Sequence, residues 1–280
     1  MKIAVLTYGS APVPATQGGA VENLIEDLLD ENEVKQNLKF TVYGIYDKSA
    51  YIKSQKYEHS NFEFVKCPWG IDFIDKFIYL IAKYILKKSN LISYRFIFRR
   101  LFIMSHYPKK LVKNDYDRIM LVANSTLFLL FKNKKLYTKY CDKVIFYLHN
   151  EVKSLFGCEK EVESIRTLIG VSQFVNSAFQ NIVPSISTER CYVLKNCIDT
   201  KNFIENDEKR NSVLRKKYNI SKSDFVLVFI GRIVKEKGIL EVIEAVKKVN
   251  RQNIKLLVVG SSFYSSDVMT CPRFLYQSQC

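Results

Sequence analysis

Arg232 and Lys237 stand in a setting that could neutralise a diphosphate. They lie in the run Phe229-Ile-Gly-Arg-Ile-Val-Lys-Glu-Lys-Gly-Ile-Leu. Gly231 opens a turn after the apolar stretch 225–230, and Gly238 precedes a helical pattern with Ile239, Leu240, Ile243 and Val246 on one face. A strand, a glycine turn, two cations and a helix start supply what a phosphate needs: unpaired N–H groups, the positive end of a helix dipole and point charges. The alternative is an ordinary strand–helix turn with solvated cations.

Two further constellations carry chemistry. Residues 144–151, Val-Ile-Phe-Tyr-Leu-His-Asn-Glu, read as a buried strand ending in His149, Asn150 and Glu151. At the carboxyl edge of a parallel sheet such residues point into the ligand crevice, which makes His149 the first candidate catalytic residue. The competing reading is a structural histidine. Nearer the start, Gly18 and Gly19, with Glu22 three residues on, open a helix whose buried side is Val21, Leu24, Ile25 and Leu28. Paired glycines let a backbone approach a phosphate closely, or serve only to pack helix on strand. The spacing is not Gly-x-Gly-x-x-Gly, which argues against a nicotinamide enzyme.

These residues need a scaffold, and the chain offers one. Short apolar runs at 2–8, 39–46, 61–66, 117–123, 142–149, 165–171 and 190–195 predict strands, and the patterns at 19–31, 71–104, 125–136 and 172–181 predict helices. Alternation of the two predicts an α/β fold with a doubly wound parallel sheet. The polar stretch 197–223 predicts the crossing into a second domain, with a strand–helix–strand unit from Asp224 to Gly260. The expected boundaries are 1–200 for an N-terminal domain and 201–280 for a partial C-terminal one. Two strands bury too little to be stable alone, and residues 269–280 show neither helical nor strand periodicity.

Composition limits the partners. With 48% hydrophobic and 25% charged residues the chain is globular. Without 18 consecutive uncharged apolar residues, no transmembrane helix is expected, and residues 1–9 read as a first strand, not as a signal peptide. Seven cysteines without a Cys-x-x-Cys pair predict reduced thiols, most of them in the core, and no metal site. The net charge of +15 points to an anionic partner. From Lys76 to Lys113 ten cations (Lys76, Lys83, Lys87, Lys88, Arg95, Arg99, Arg100, Lys109, Lys110, Lys113) mix with aromatic and aliphatic residues and no acid. That mixture predicts contact with an anionic membrane surface through 76–113, against the alternative of a core helix pair with a basic outer face. Nucleic acid is disfavoured, since no helix-turn-helix, RNA-binding aromatic signature or zinc-finger spacing occurs.

The stretch around Arg232 and Lys237, the Gly18-Gly19-x-x-Glu22 start, His149 after its strand, Gly170-Val171-Ser172 and Lys195-Asn196-Cys197-Ile198-Asp199 follow one another in an order that resembles family 4 glycosyltransferases, covering about residues 1–266. The resemblance implies a retaining, metal-independent enzyme of GT-B-like fold. Its N-terminal Rossmann-like domain would face the acceptor, and an incomplete second Rossmann-like domain would hold a nucleotide sugar. It implies no cofactor beyond that substrate and a lipid-linked saccharide as acceptor in bacterial polysaccharide or glycolipid synthesis. The location implied is cytoplasmic, peripheral to the inner face of the cell membrane. It assigns Arg232, Lys237, Gly18 and Gly19 to the donor phosphates, His149 to the sugar, and Glu22, Asn150, Glu151 and Asn196 to the cleft.

Two departures qualify it. Cys197 stands where the family has glycine, and would be strained if that position needs positive φ. The family's second domain continues for roughly another hundred residues by ordinary domain size, with a Glu-x7-Glu element that holds sugar and ribose. No such element follows Gly260. The expectation is a C-terminally truncated form, active or inactive by itself, with a non-catalytic membrane-docking or acceptor-binding piece as the alternative.

Overall fold

A computed structural model describes residues 1–86, 96–200, 208–260 and 275–276. The chain divides into two compact units, Met1–Cys197 and Ile198–Cys280.

The first unit is a sheet of seven parallel strands: β1 (Lys2–Leu6), β2 (Lys39–Ile45), β3 (Ser60–Val65), β4 (Arg118–Val122), β5 (Val144–Leu148), β6 (Thr167–Gly170) and β7 (Cys191–Val193). Their order is β3-β2-β1-β4-β5-β6-β7. Strands such as Arg-Ile-Met-Leu-Val in β4 are apolar almost throughout because both faces of the sheet are covered. One face packs Leu6, Tyr43, Leu121 and Phe146 against Ile103, Tyr107 and Phe179. The other packs Ile3, Val5, Val42 and Met120 with Ile25 and Leu29. Two buried tyrosines have bonded hydroxyls: Tyr107 donates to the Thr7 carbonyl at 2.9 Å and Tyr43 meets Tyr116 at 2.9 Å.

The helices between the strands are α1 (Ala20–Lys35), α2 (Lys48–Ser54), α3 (Trp69–Tyr84), α4 (Ile97–Lys113), α5 (Lys134–Tyr140), α6 (Glu159–Glu163) and α7 (Gln173–Ile182). The single helix expected over 71–104 is corrected. The helix α3 ends at Tyr84 and α4 begins at Ile97, while Lys87, Lys88 and Arg95 lie outside the described residues. Helix α4 also runs through Pro108 to Lys113, because burial of Tyr107 and Leu111 outweighs the lost backbone hydrogen bond. The helix expected at 125–136 is a 3₁₀ turn, Ser125–Lys132, followed by α5, with Asn124 and Asn133 capping each start. Ser172 caps α7 by accepting from the Val175 N–H at 3.3 Å.

A buried carboxylate helps tie α3 to α4. Asp75, 3% exposed on α3, accepts the N–H groups of Phe98 and Arg99 at 2.9 Å each. A carboxylate from one helix thus caps the other and meets the positive end of its dipole. Asp75→Ala is expected to cost about 2 kcal/mol, since it leaves two donors without a partner. A lowered urea midpoint with unchanged slope would show it.

The second unit has α8 (Glu208–Lys217), β8 (Phe225–Ile230), α9 (Ile239–Val249), β9 (Ile254–Val259) and a two-residue β10 (Leu275–Tyr276). Strands β8 and β9 are parallel, and β10 joins β9 antiparallel. Its core is small: Ile239, Leu256 and Val258, with Leu227, Phe229, Val242, Ile243 and Val246 packed around them. The polar stretch 197–223, read as a crossing, contains α8. Among the residues around it, Asn202 and Asn206 lie outside the described ones. The core placement of most cysteines is also corrected. Of the described five, Cys158 is buried, Cys67, Cys141 and Cys191 are half-buried and Cys197 is exposed, and all are unpaired thiols.

Candidate functional site

In the first unit the carboxyl edge of the sheet gathers most of the predicted residues. Strand order reverses between β1 and β4, the switch point where open α/β sheets bind ligands. Gly18 and Gly19 follow β1, His149 and Asn150 follow β5, and Asn196 follows β7. The loop from β1 to α1 is pinned from several sides. The Ala15 N–H donates to Glu26 at 2.8 Å, Lys53 pairs with Glu26 at 2.5 Å, and Thr16 and Gln17 each donate to Asp47 at 3.1 Å. Burial opposes ionisation of Asp47, but those bonds and the N–H groups of Ala50 and Ser49 outweigh it and hold its carboxyl below the usual range.

Gly18 (φ +76°) and Gly19 (φ +115°) deliver the chain into α1. A Cβ at Gly18 would meet nothing within 4 Å, so its backbone is open to an incoming group. Gly19 differs, because a Cβ there would fall 2.2 Å from Glu22 Oε2. Glu22 is 7% exposed and folds back over Gly19, accepting from Ser10 Oγ at 3.2 Å. Burial pushes its carboxyl above the ordinary range, against the bonds from its own N–H and from Ser10. Part of the anion-binding capacity of this helix start is therefore met by the chain's own carboxylate.

His149 is half-buried, its ring 4.2 Å from that of Tyr147, and its Nε2 has no hydrogen-bond partner. Burial lowers its pKa to about 4, so the imidazole is neutral at pH 7 and keeps one donor and one acceptor nitrogen. Asn150, Glu151 and Asn196 are exposed. Cys197 is not among the described non-glycine residues with positive φ, so the strain considered for that position does not arise.

In the second unit β8 runs into Gly231 (φ +156°), a 3₁₀ turn Lys235–Lys237 and Gly238 (φ +73°), the N-cap of α9. Glycine offers no side chain to cap the helix, so the first N–H groups of α9 are left to other acceptors. Arg232, just before this turn, and Lys237, its last residue, are exposed. The turn sits at the carboxyl ends of β8 and β9, and there the two backbones touch. A Cβ on Gly260 would lie 1.8 Å from the Gly231 carbonyl oxygen.

Sequence reasoning missed several contributors. Ala123, at the end of β4, is held at φ +63° with its N–H on the Tyr147 carbonyl at 2.8 Å. Arg100 stacks over the Tyr8 ring, 5.9 Å from its centroid, at the end of β1. No spacing rule joins Tyr8 to Arg100; only the fold does. Among the described residues, no helix is long and apolar enough to cross a membrane.

The architecture is α/β and GT-B-like, with a seven-stranded Rossmann-like sheet in the first unit and, among the described residues, a three-stranded sheet in the second. Residues 211–268, which hold the Gly231–Gly238 turn, match the family described as glycosyl transferases group 1. The chain is 27% identical over 164 residues, 55% of its length, to a lipopolysaccharide 1,2-N-acetylglucosaminetransferase of Salmonella typhimurium, of which that covers 39%. It is similar in structure to HepE of Anabaena in complex with UDP-glucose (TM-score 0.56, 16% identity, 94% of this chain and 61% of that one). A glycosyltransferase from Rickettsia africae gives a TM-score of 0.59 at 14% identity, covering 92% and 60%. The chain thus spans less than two thirds of the length of these proteins.

Proposed function

We propose that the chain binds a nucleotide-diphosphate sugar and serves a glycosyltransferase reaction of bacterial polysaccharide or glycolipid synthesis, with transfer to a lipid-linked saccharide at the membrane. The observation that carries this reading is the coincidence of the family match at 211–268 with the strand–glycine–cation–helix turn at Gly231–Gly238. One similar protein is named an N-acetylglucosaminetransferase of lipopolysaccharide, and one similar structure holds UDP-glucose.

Arg232, Lys237 and the N–H groups opening α9 neutralise the departing diphosphate, the main electrostatic task in such a transfer. His149, neutral at pH 7, orients a sugar hydroxyl through one nitrogen and does not act as a cationic acid. The configuration at the sugar carbon is retained, in keeping with the family 4 resemblance. Gly18 offers an open backbone to phosphate, and Asn150, Glu151 and Asn196 serve the acceptor. The enzyme works in the cytoplasm against the inner face of the membrane.

The test is thermal unfolding against UDP, other nucleoside diphosphates and their sugars. A ligand at 100 times its Kd that binds only the folded state adds about 2.7 kcal/mol. One nucleotide is expected to raise the melt, and Arg232→Ala with Lys237→Ala is expected to abolish the rise. A melt that no nucleotide moves would overturn the donor-binding reading.

A further inference from the structure

The outer side of α3 carries large apolar side chains that the sheet does not cover. Trp69 is 87% exposed, Phe73 69%, Phe77 57%, Leu80 41% and Tyr84 64%. At 100° per residue these five fall within an arc of about 80°, and at 1.5 Å per residue they run about 22 Å along the helix. The opposite side holds the buried Asp75 and Ala82. The helix is thus fixed to the fold by one side and presents a continuous apolar ridge on the other.

Single exposed apolar residues need no explanation, but a contiguous ridge does. We propose that this ridge of α3 inserts into the headgroup–acyl boundary of an anionic bilayer. The inference rests on the membrane-facing part of the function proposed above. It moves the inserted element from the basic stretch 76–113 to an apolar face that starts at Trp69. Three observations favour lipid over a protein partner. The ridge is convex and one helix wide, which suits a deformable phase better than a fitted groove. It has tryptophan at one end and tyrosine at the other, the side chains that settle at membrane interfaces. The chain carries +15, and its cation-rich, acid-free stretch begins within α3 itself, at the exposed Lys76. The cations draw the protein to the surface, and the ridge holds it there.

The test uses the chain's only tryptophan, which is on the ridge. With phosphatidylglycerol–phosphatidylcholine vesicles, Trp69 emission is expected to shift to the blue and to be quenched by brominated acyl chains. Phe73→Ser with Phe77→Ser is expected to lower vesicle partitioning by about tenfold or more, since two inserted rings are lost. Both rings are exposed, so the melt of the variant should match the parent. Vesicle binding with unchanged Trp69 emission would overturn the proposal, as would undiminished binding of the double variant or no binding at all. A blue shift that grows with protein concentration in the absence of lipid would overturn it in favour of a second copy on the ridge. Nucleotide stabilisation, read separately on the same samples, reports on Arg232 and Lys237 and fails independently.

Discussion

Gly260→Ala is expected to unfold the second unit while the first remains folded. The new methyl group would sit 1.8 Å from the Gly231 carbonyl oxygen and 2.9 Å from its carbon, and both are backbone atoms that no rotamer change can move away. Gly260 also has φ +154°, a conformation that residues with a Cβ rarely adopt. Strain of this kind costs about 1–3 kcal/mol before any clash is counted, so a loss of at least about 3 kcal/mol is expected. Among its described residues the second unit's core cluster has three buried apolar residues, which leaves little stability to spare. Hydrogen exchange in β8 and β9, with proteolysis between the units, would read the effect. Gly231→Ala is the control. Its φ is similar, at +156°, but its Cβ meets nothing nearer than a Phe229 ring carbon at 3.9 Å. It should lose clearly less, and equal losses would refute the backbone clash.

The second large effect is on pH dependence. His149 has its pKa lowered by burial from 6.5 to about 4. Above pH 6.5 the ring is neutral in both folded and unfolded chains and has no influence on the balance. Between pH 6.5 and 4 the unfolded chain binds a proton there that the folded chain refuses, so stability falls as the solution is acidified. Below about pH 4 both forms bind it and the loss levels off, at roughly 3 kcal/mol. Carboxylates titrate over part of the same range, so the comparison must be between the parent and His149→Asn. The parent's stability should drop more steeply between pH 6.5 and 4, with a difference near one proton in slope. Parallel curves would mean that His149 is not held neutral.

The first sheet was legible because a strand covered on both faces has to be apolar almost throughout. All seven of its strands stand within two residues of the runs read from the sequence, β2 and β3 within one. Composition failed wherever something other than burial decides. Helix α8 reads Glu-Lys-Arg-Asn-Ser-Val-Leu-Arg-Lys-Lys and shows no apolar face to find. The break between α3 and α4 was invisible because the apolar pattern continues on either side of it, and the trans-cap by Asp75 joins residues 23 and 24 positions apart. For the site, strand-end logic located His149, but its low pKa depends on packing that no spacing encodes. The contacts of Tyr8 with Arg100 and of Thr16 with Asp47 are likewise products of the fold.

Glu22 folded over Gly19 also changes how its short motif should be read. The carboxylate fits because position 19 has no Cβ, and position 22 reaches back because three residues make nearly one helical turn. Two letters of Gly-Gly-x-x-Glu therefore spell an internal fit, a joint between loop and helix. Of its three letters, Gly18 alone is left facing open space. Much of what looks like a binding signature is the seating of a helix on its loop.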